Sequence, residues 1–288
     1  MTAPSRPLSV VCVVVPVHDE QELLGRSIAA LRHAVAHEAA RPGGVRTEVV
    51  LVLDGCTDGS AAVARLSPFH VVEVSARGVG AARAVGVDVA LAAAFDTEEA
   101  DGADTADRAD GVAQARAGER SWGARRPAGV RRLIRPGRSV GAGALGLDQV
   151  WIASTDADSA VPVHWISSQV RLADAGADLV IGTVRPDPAD LSPQQRSAWQ
   201  ARHVPGRANG HVHGANLGVR ADVYRAAGGY SPVDEHEDVD LVARARATGA
   251  RVVASDGAWV LTSGRQQGRT PGGYARYLRE DLVGGAPA

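Results

Sequence analysis

The strongest structural signal in the sequence is the apolar stretch LSVVCVVV at residues 8–15. An uninterrupted run of β-branched residues is typical of a strand that is buried on both faces of a parallel sheet. Further strand patterns are EVVLVL at residues 48–53 and HVVEV at residues 70–74. Helical patterns occupy residues 24–35, 59–66 and 78–94. This alternation predicts a doubly wound α/β sheet flanked by helices, which binds ligands at the carboxyl ends of its strands.

A change of composition separates this first part of the chain from the rest. Residues 96–148 are first acidic and rich in alanine, then rich in arginine, and they lack hydrophobic periodicity. We expect them to form a flexible insertion. Beyond them, strands are predicted at 149–154, 178–184, 216–219 and 251–254, and helices at 162–175, 193–203, 221–227 and 239–248. We therefore expect residues 1–288 to form a single domain with a mixed, mostly parallel sheet.

Composition excludes several classes of function. The 288 residues carry a formal net charge of −2, without the basic excess of a dedicated nucleic-acid binder. All 31 basic residues are arginine, so the chain contains no lysine for a Schiff base or for a Walker phosphate loop. Hydrophobic residues make up 45%, which is too much for a disordered chain. These values predict a globular protein that does not bind nucleic acid.

Cysteine usage and the N-terminal residues bear on the cellular compartment. Cys12 and Cys56 lie in or beside apolar runs, as reduced structural thiols do. The first apolar run is interrupted at Pro16 and His18, so it is shorter than a signal peptide core or a membrane span requires. The sequence thus predicts a cytoplasmic protein without a transmembrane segment.

Acidic residues follow several of the predicted strands. They are Asp19 and Glu20 after the first strand, Asp54 after the second, and Asp156 and Asp158 after the fourth. Each one alone is better explained as a cap of the next helix, and Asp19 in particular is expected to cap the helix predicted at residues 24–35. Together they converge on one crevice, where their mutual repulsion must be relieved by a cation or by hydrogen-bond donors. The Asp156-Ala157-Asp158 triplet is suited to a hard divalent ion such as Mg²⁺ or Mn²⁺.

Three further patterns leave alternatives open. The segment RGVGAAR at residues 77–83 resembles a dinucleotide fingerprint, but Arg83 stands where that fingerprint needs Gly or Ala. Gly78 and Gly80 still permit close backbone approach, and Arg83 can face an anion. The alternating His211 and His213 fit either a zinc site or a solvated strand face. Glu237 and Asp238, at a predicted helix start, are either capping residues or catalytic carboxylates.

Seven of these segments, taken in order, resemble family 2 glycosyltransferases of the GT-A fold. They are VPVHDE at 15–20, LDGCTDGS at 53–60, GVGAARAVG at 78–86, TDAD at 155–158, GAN at 214–216, AGGY at 227–230 and EDVDL at 237–241. The resemblance spans nearly the whole chain apart from the insertion and the termini. It implies a metal-dependent enzyme that moves a sugar from a nucleoside-diphosphate sugar, with UDP favoured, to a hydroxyl acceptor that the sequence does not identify.

The resemblance also implies a role for each matching residue. Residues 8–95 and 149–160 would bind the nucleotide sugar, and residues 161–288 would form the acceptor side. Pro16, His18, Glu20 and Asp54 would surround the nucleoside, Gly80 and Arg83 would lie near the phosphates, Asp156 and Asp158 would hold Mn²⁺ or Mg²⁺, and Gly214, Ala215 and Asn216 would line the donor-sugar and acceptor region. Asp238 would be the catalytic base of an inverting reaction, with Glu237 supporting it.

Two departures from the family pattern matter. Ala84 stands where many relatives have Asn, and no histidine follows His236 to complete a metal shell. Arg265 or Arg269 is expected to neutralise the diphosphate instead. The alternatives are a retaining glycosyltransferase of the same fold, which needs no base at Asp238, and a catalytically inactive protein that binds sugar nucleotides. A nucleotidyltransferase is disfavoured because no Gly-rich basic segment follows the first strand.

Overall fold

The computed structural model describes residues 7–103, 145–233, 235–268 and 272–284. Its strands are β1 (Val10–Val17), β2 (Arg46–Asp54), β3 (His70–Val74), β4 (Val150–Ser154), β5 (Ser159–Ala160), β6 (Leu179–Pro186), β7 (Leu217–Arg220) and β8 (Val252–Thr262). Its helices are α1 (Leu24–Ala39), α2 (Ser60–Arg65), α3 (Val79–Ala103), α4 (Trp165–Asp174), α5 (Pro193–Arg202), α6 (Ala221–Ala226) and α7 (Glu237–Ala247). A last helix begins as α8 (Tyr274–Arg276) and continues through a π-helical turn (Tyr277–Asp281) into α9 (Leu282–Gly284).

The eight strands form one sheet in the order β3-β2-β1-β4-β7-β6-β8-β5. The first four are parallel, β7 is antiparallel to both β4 and β6, β6 and β8 are parallel, and β5 is antiparallel to β8. Val13 at the centre of β1 lies opposite Val49 of β2 and Ala153 of β4. The predicted α/β fold with a mixed, mostly parallel sheet is confirmed.

Strand β1 is buried on both faces, as its apolar run predicts. Val11, Val13 and Val15 face a core that includes Leu24 and Leu31 of α1 and Trp165 of α4. The alternate residues Val10, Cys12 and Val14 face a second core that includes Ala82, Val87 and Leu91 of α3. Burying one such valine contributes about 1.5–3 kcal/mol, so the two cores fix the carboxyl end of β1 firmly in the middle of the sheet.

Helix α1 begins differently from the prediction. We expected Asp19 to cap it, but α1 starts after Leu23 without a side-chain cap. The Asp19 carboxylate instead accepts a hydrogen bond of 2.6 Å from the backbone N–H of Thr57. Asp19 therefore ties the loop after β1 to the loop after β2, and the prediction of a helix cap was wrong.

The last strand and the C-terminal helices also extend beyond the predictions. The expected strand at 251–254 is the start of β8, which continues to Thr262, and the helical residues after position 273 were not predicted. At the predicted insertion, α3 continues to Ala103 and the described chain resumes at Leu145, which packs in the core beside α3. The rest of the predicted insertion, residues 104–144, lies outside the described residues. Within the described part of the chain, no helix has the length and apolar character needed to cross a bilayer.

Candidate active site

A cavity of about 1520 Å³ opens at the carboxyl ends of β1, β2 and β4. The predicted residues that line it are Pro16, His18, Glu20, Asp54, Arg83, Asp156, Asp158, Gly214, Ala215, Glu237, Asp238 and Arg265. These residues are separated by up to 249 positions in the sequence, and the sheet topology brings them together. Acidic residues that the sequence placed after separate strands thus share one crevice, as expected.

Arg83 joins two carboxylates beneath the cavity. Its side chain is 3% exposed and donates to Oδ1 of Asp156 at 2.5 Å and to Oε1 of Glu237. The guanidinium lies over the Tyr230 ring, 5.8 Å from its centroid. Burial acts to lower the pKa of Arg83, but the charge of Asp156 opposes this and the net pKa is raised. Arg83 is therefore a permanent positive charge that links α3, the turn after β4 and the start of α7.

Arg265 forms a second link between carboxylates. Its guanidinium contacts both oxygens of Glu20, at 2.9 and 2.7 Å, and Oδ2 of Asp158 at 2.9 Å. The other oxygen of Asp158 accepts from the hydroxyls of Ser159 at 3.1 Å and Thr262 at 3.3 Å. Burial, and then the charge of Asp156, raise the pKa of the Asp158 carboxyl to about 6, although Arg265 acts in the opposite direction. The carboxylates around Asp158 are thus crowded, and Arg265 supplies positive charge that relieves their repulsion.

Asp54 organises the loop that follows β3. Its carboxylate accepts hydrogen bonds from the backbone N–H groups of Ala76, Arg77 and Gly78, at 2.7, 3.0 and 3.1 Å. The ring Nδ1 of His18 lies 2.6 Å from the backbone oxygen of Asp54. Asp54 therefore shapes the cavity wall through backbone contacts, and a ligand would share its carboxylate with these amides.

Backbone strain is concentrated around the cavity. The non-glycine residues with positive φ in the described ranges are Asp19 (50°), Arg77 (57°) and His236 (61°). Arg77 and His236 line the cavity itself, and Asp19 lines a smaller cavity beside it. Left-handed conformations cost an L-residue of the order of 1 kcal/mol or more and cluster at functional sites. No sequence pattern at Arg77 or His236 indicates this strain.

Asp238 is held at the start of α7 by backbone amides. Its Oδ2 accepts from the N–H of Gly214 at 2.6 Å and its Oδ1 from the N–H of Val239 at 2.8 Å. Its neighbour His213 packs edge-on against the Tyr274 ring, with ring centroids 5.6 Å apart. Burial lowers the pKa of His213 to about 4, against the opposing charge of Asp238. The imidazole beside Asp238 is therefore neutral at physiological pH.

An aromatic wall lines part of the cavity. We give this name to Trp199, His211, His213, Tyr274 and Tyr277, all of which line the cavity. The Tyr274 and Tyr277 rings stack with centroids 5.7 Å apart, and His211 lies 6.3 Å from Tyr277. The two alternating histidines thus contact tyrosines. Only His211 and His213 were noticed in the sequence, although Tyr274 and Tyr277, three positions apart, have the spacing of one helix face.

Comparison with known proteins identifies the N-terminal part of the chain. Residues 12–108 match the family model described as Glycosyl transferase family 2. These 97 of the 288 residues are similar to family 2 glycosyltransferases. No curated protein matches the sequence.

Solved glycosyltransferase structures share the fold. Residues 1–349 of TarS from S. aureus are 12% identical, with a TM-score of 0.53 over 90% of this chain and 61% of that one. The same fragment in complex with UDP is 11% identical, with a TM-score of 0.52 over 96% of this chain and 71% of that one. A longer TarS structure is 13% identical, with a TM-score of 0.53 over 89% of this chain and 37% of that one. The chain thus spans less than two thirds of two of these three structures, and the likeness establishes the GT-A fold.

Two of the predicted site residues, Gly80 and Asn216, do not line the cavity. Gly80 packs against the loop before α7, where an added Cβ would lie 2.2 Å from the backbone oxygen of Ser231. The buried Asn216 amide accepts from Trp165 at 2.8 Å and donates to the backbone oxygens of Thr183 and Ala258, at 2.9 and 3.0 Å. Its side chain is therefore committed to the core, contrary to the expected contact with a ligand. Arg269 lies outside the described residues.

The Asp156–Asp158 pair fits a divalent cation. Both residues offer only carboxylate oxygens, the ligands that Mg²⁺ and Mn²⁺ prefer, and the Asp156 side chain is 37% exposed. No group of three or more His, Cys, Asp or Glu side chains among the described residues is arranged to hold a metal by itself. A cation at this pair would therefore take further ligands from water or from the substrate's phosphate oxygens, as Mg²⁺ commonly does.

Proposed function

We propose that this glycosyltransferase moves a sugar from a UDP-sugar to a hydroxyl acceptor, with a divalent cation and with inversion at the anomeric carbon. The observation that carries the proposal is the meeting of Asp156, Asp158 and Asp238 at one cavity. The first two lie in the turn after β4, and the third lies at the start of α7. The arrangement provides a cation-binding pair and a separate carboxylate for a proton.

The donor half comprises residues 8–95 and 149–160. Pro16, His18 and Asp54 line the end of the cavity beyond β1 and β2, where a nucleoside would lie. Uridine is proposed as the base because the fold is shared with TarS, which was solved in complex with UDP. The diphosphate would then extend towards Asp156 and Asp158, within reach of Arg83 and Arg265.

Charge at the leaving group is the main chemical problem of the reaction. Mn²⁺ or Mg²⁺ at Asp156 and Asp158 would supply Lewis-acid stabilisation of the departing diphosphate, worth several kcal/mol. Arg83 holds Asp156 in place from below, because its guanidinium donates to Oδ1. Arg265 contributes a second positive charge at the same end of the cavity. The sugar carbon becomes oxocarbenium-like as the bond to the diphosphate lengthens.

Asp238 is proposed as the general base. Its carboxylate is oriented by the amides of Gly214 and Val239 and borders the cavity. Removal of the acceptor proton during attack is worth about 10²–10⁴-fold in rate. A single displacement of this kind inverts the anomeric centre. Glu237, one position earlier, supports the base indirectly because it fixes the start of α7 to Arg83.

The acceptor half comprises residues 161–288, and the acceptor is proposed to enter along the aromatic wall. Flat aromatic faces with polar edges favour the sugar rings or other amphipathic groups that such pockets bind. Asp238 lies beside His213 of this wall, so a hydroxyl placed there would be close to the base.

Ligand binding and product configuration test the proposal together. Thermal unfolding is measured with UDP-sugars, GDP-mannose and free UDP, each with and without Mn²⁺, because a tight ligand raises the melting temperature by mass action. The donor that stabilises most is then used in transfer or hydrolysis assays, with the anomeric configuration read by NMR. We expect a Mn²⁺-dependent shift with a UDP-sugar and an inverted product. A retained configuration would favour the retaining alternative, and binding without transfer or hydrolysis would favour an inactive binding protein.

A further inference from the structure

We propose that Arg265 is a resident cation of the donor site, which excludes free divalent metal until the donor's diphosphate arrives. This inference rests on the proposed function, since it concerns the order in which that site is filled. The inference gives Arg265 a role before the donor binds, besides its proposed contact with the donor's phosphate.

The contacts of Asp158 are the first argument. Oδ2 lies 2.9 Å from Arg265, and Oδ1 accepts from two hydroxyls, those of Ser159 and Thr262. Each oxygen of this carboxylate is therefore already engaged within the protein. Oδ2 can still accept a second ligand, but a divalent cation there would lie beside the Arg265 guanidinium, whose positive charge opposes its binding unless the guanidinium moves away. The hydroxyls belong to the paired strands β5 and β8, whereas Arg265 follows β8 in a segment without regular structure.

The contacts of Arg265 are the second argument. The guanidinium is forked onto both oxygens of Glu20 and reaches Asp158 with one nitrogen. A planar guanidinium with several fixed donors suits this bridge between two carboxylates, as it also suits a phosphate group. The same side chain can thus exchange carboxylate oxygens for diphosphate oxygens without losing its hydrogen bonds.

Space for this exchange is present on both sides of Arg265. It lines the main cavity of about 1520 Å³ and also a second cavity of about 610 Å³, which Glu20 borders as well. The Arg265 side chain is 30% exposed, compared with 3% for Arg83 on the neighbouring carboxylate. Of the two arginines, Arg265 is therefore the one that can move.

Charge explains why metal and donor would bind together. With Arg265 in place, Asp158 is partly neutralised and attracts a free divalent cation weakly. When the donor's diphosphate binds the Arg265 guanidinium in place of Asp158, the Asp158 carboxylate becomes available to the cation. The phosphate oxygens then supply the cation's remaining ligands. Metal and diphosphate then raise each other's affinity by the same factor, as linkage requires.

The experiment measures the binding of Mn²⁺ alone and of Mn²⁺ with UDP. Free Mn²⁺ is followed by its electron paramagnetic resonance signal, in titrations of the full chain and of Arg265→Gln, Arg265→Lys and Arg26→Gln. Arg26→Gln is the matched control, because Arg26 also pairs with an aspartate, Asp187 at 2.7 Å, but lines neither cavity. Arg265→Lys retains the positive charge but loses the paired N–H donors of the guanidinium. This variant is used for the comparison if Arg265→Gln does not fold.

We expect Arg265→Gln to bind Mn²⁺ without UDP about tenfold or more tightly than the unmodified chain, with Arg265→Lys in between. UDP should tighten Mn²⁺ binding strongly in the unmodified chain and in Arg26→Gln, and much less in Arg265→Gln. Equal affinity for Mn²⁺ alone in the unmodified chain and both Arg265 variants would overturn the inference and leave the proposed function standing. If none of the proteins binds UDP or Mn²⁺, the proposed function and the inference both fail.

Discussion

The carboxylate of Asp238 accepts a hydrogen bond of 2.6 Å from the backbone N–H of Gly214. This bond joins the start of α7 to the turn before β7, two segments that border the cavity. A carboxylate anchored in this way keeps its direction at the cavity wall. The proposed role of Asp238 as a general base depends on this orientation.

Replacing Asp238 tests that role. We expect Asp238→Asn to bind the UDP-sugar and Mn²⁺ with nearly unchanged affinity, because Asp238 is not among the residues proposed to contact the nucleoside or the cation. The transfer rate should fall about 10²–10⁴-fold, because an amide cannot accept the acceptor's proton. Steady-state kinetics and calorimetric titration with UDP measure the two quantities.

Asp240→Asn is the control for this substitution. Asp240 lies on the same helix, where it pairs with Arg244 at 2.9 Å, and it does not line the cavity. We expect it to retain the transfer rate of the unmodified enzyme. Full transfer activity in Asp238→Asn would place the base elsewhere or point to a retaining reaction.

Arg83 should be more important for stability than any exposed arginine. Arg83→Met leaves the buried Glu237 without its partner, and we expect the free energy of unfolding to fall by about 3 kcal/mol. The double variant Arg83→Met/Glu237→Gln should be less destabilised than the two single losses combined, because the unpaired charge is gone. Urea unfolding of the four proteins gives the interaction energy. Arg276→Met, which removes an exposed pair with Glu280, should change stability little.

The first half of the fold could be predicted from sequence because its signals are local. The apolar runs of β1 and β2 need no partner to be recognised, and the turn at Asp156 follows its strand directly. Strand β8 was predicted too short because its apolar pattern is interrupted at Asp256. That buried carboxylate is acceptable in the strand because Arg185 of β6 pairs with it at 2.9 Å and the backbone N–H of Gly206 donates to it at 2.8 Å. The pairing spans 71 residues, so no local pattern reveals it.

The candidate site, like the fold, could be predicted from the sequence only in part. Sequence placed Glu20, Asp156 and Asp158 at strand ends, and the topology brought them together. The sequence does not show that Arg265 contacts Glu20, 245 positions away. It also does not show that the Asn216 side chain is buried in the core, where it accepts a hydrogen bond from Trp165. These contacts depend on how β8 and α4 pack, which is a tertiary property. The sequence therefore predicts which kinds of side chain lie at the site, but not which residues each side chain contacts.

Gly80 should be required for its small size. An added Cβ would lie 2.2 Å from the Ser231 oxygen and 3.1 Å from the Val233 oxygen, both in the backbone of the loop before α7. We expect Gly80→Ala to lower the free energy of unfolding by about 1–3 kcal/mol and to weaken UDP binding, because α3 must shift. Gly25→Ala is the matched control in α1, since no atom lies within 4 Å of its added Cβ. It should be neutral or mildly stabilising. Equal melting temperatures for the two variants would contradict the close approach at Gly80.

His213 should make the protein less stable in mild acid. Its pKa is about 4 in the folded state and about 6.5 when exposed, so the unfolded chain takes up a proton in this interval and the folded chain does not. Stability is therefore fully present above pH 6.5 and decreases as the pH falls towards 4, by at most about 3 kcal/mol at 1.4 kcal/mol per pKa unit. His213→Phe keeps a ring against Tyr274 but cannot titrate, so its stability should decrease less over the same interval. Urea unfolding at pH 7, 6 and 5 measures the difference, with the exposed His33→Phe as control. A parallel pH dependence in His213→Phe and the unmodified chain would show that His213 does not cause it.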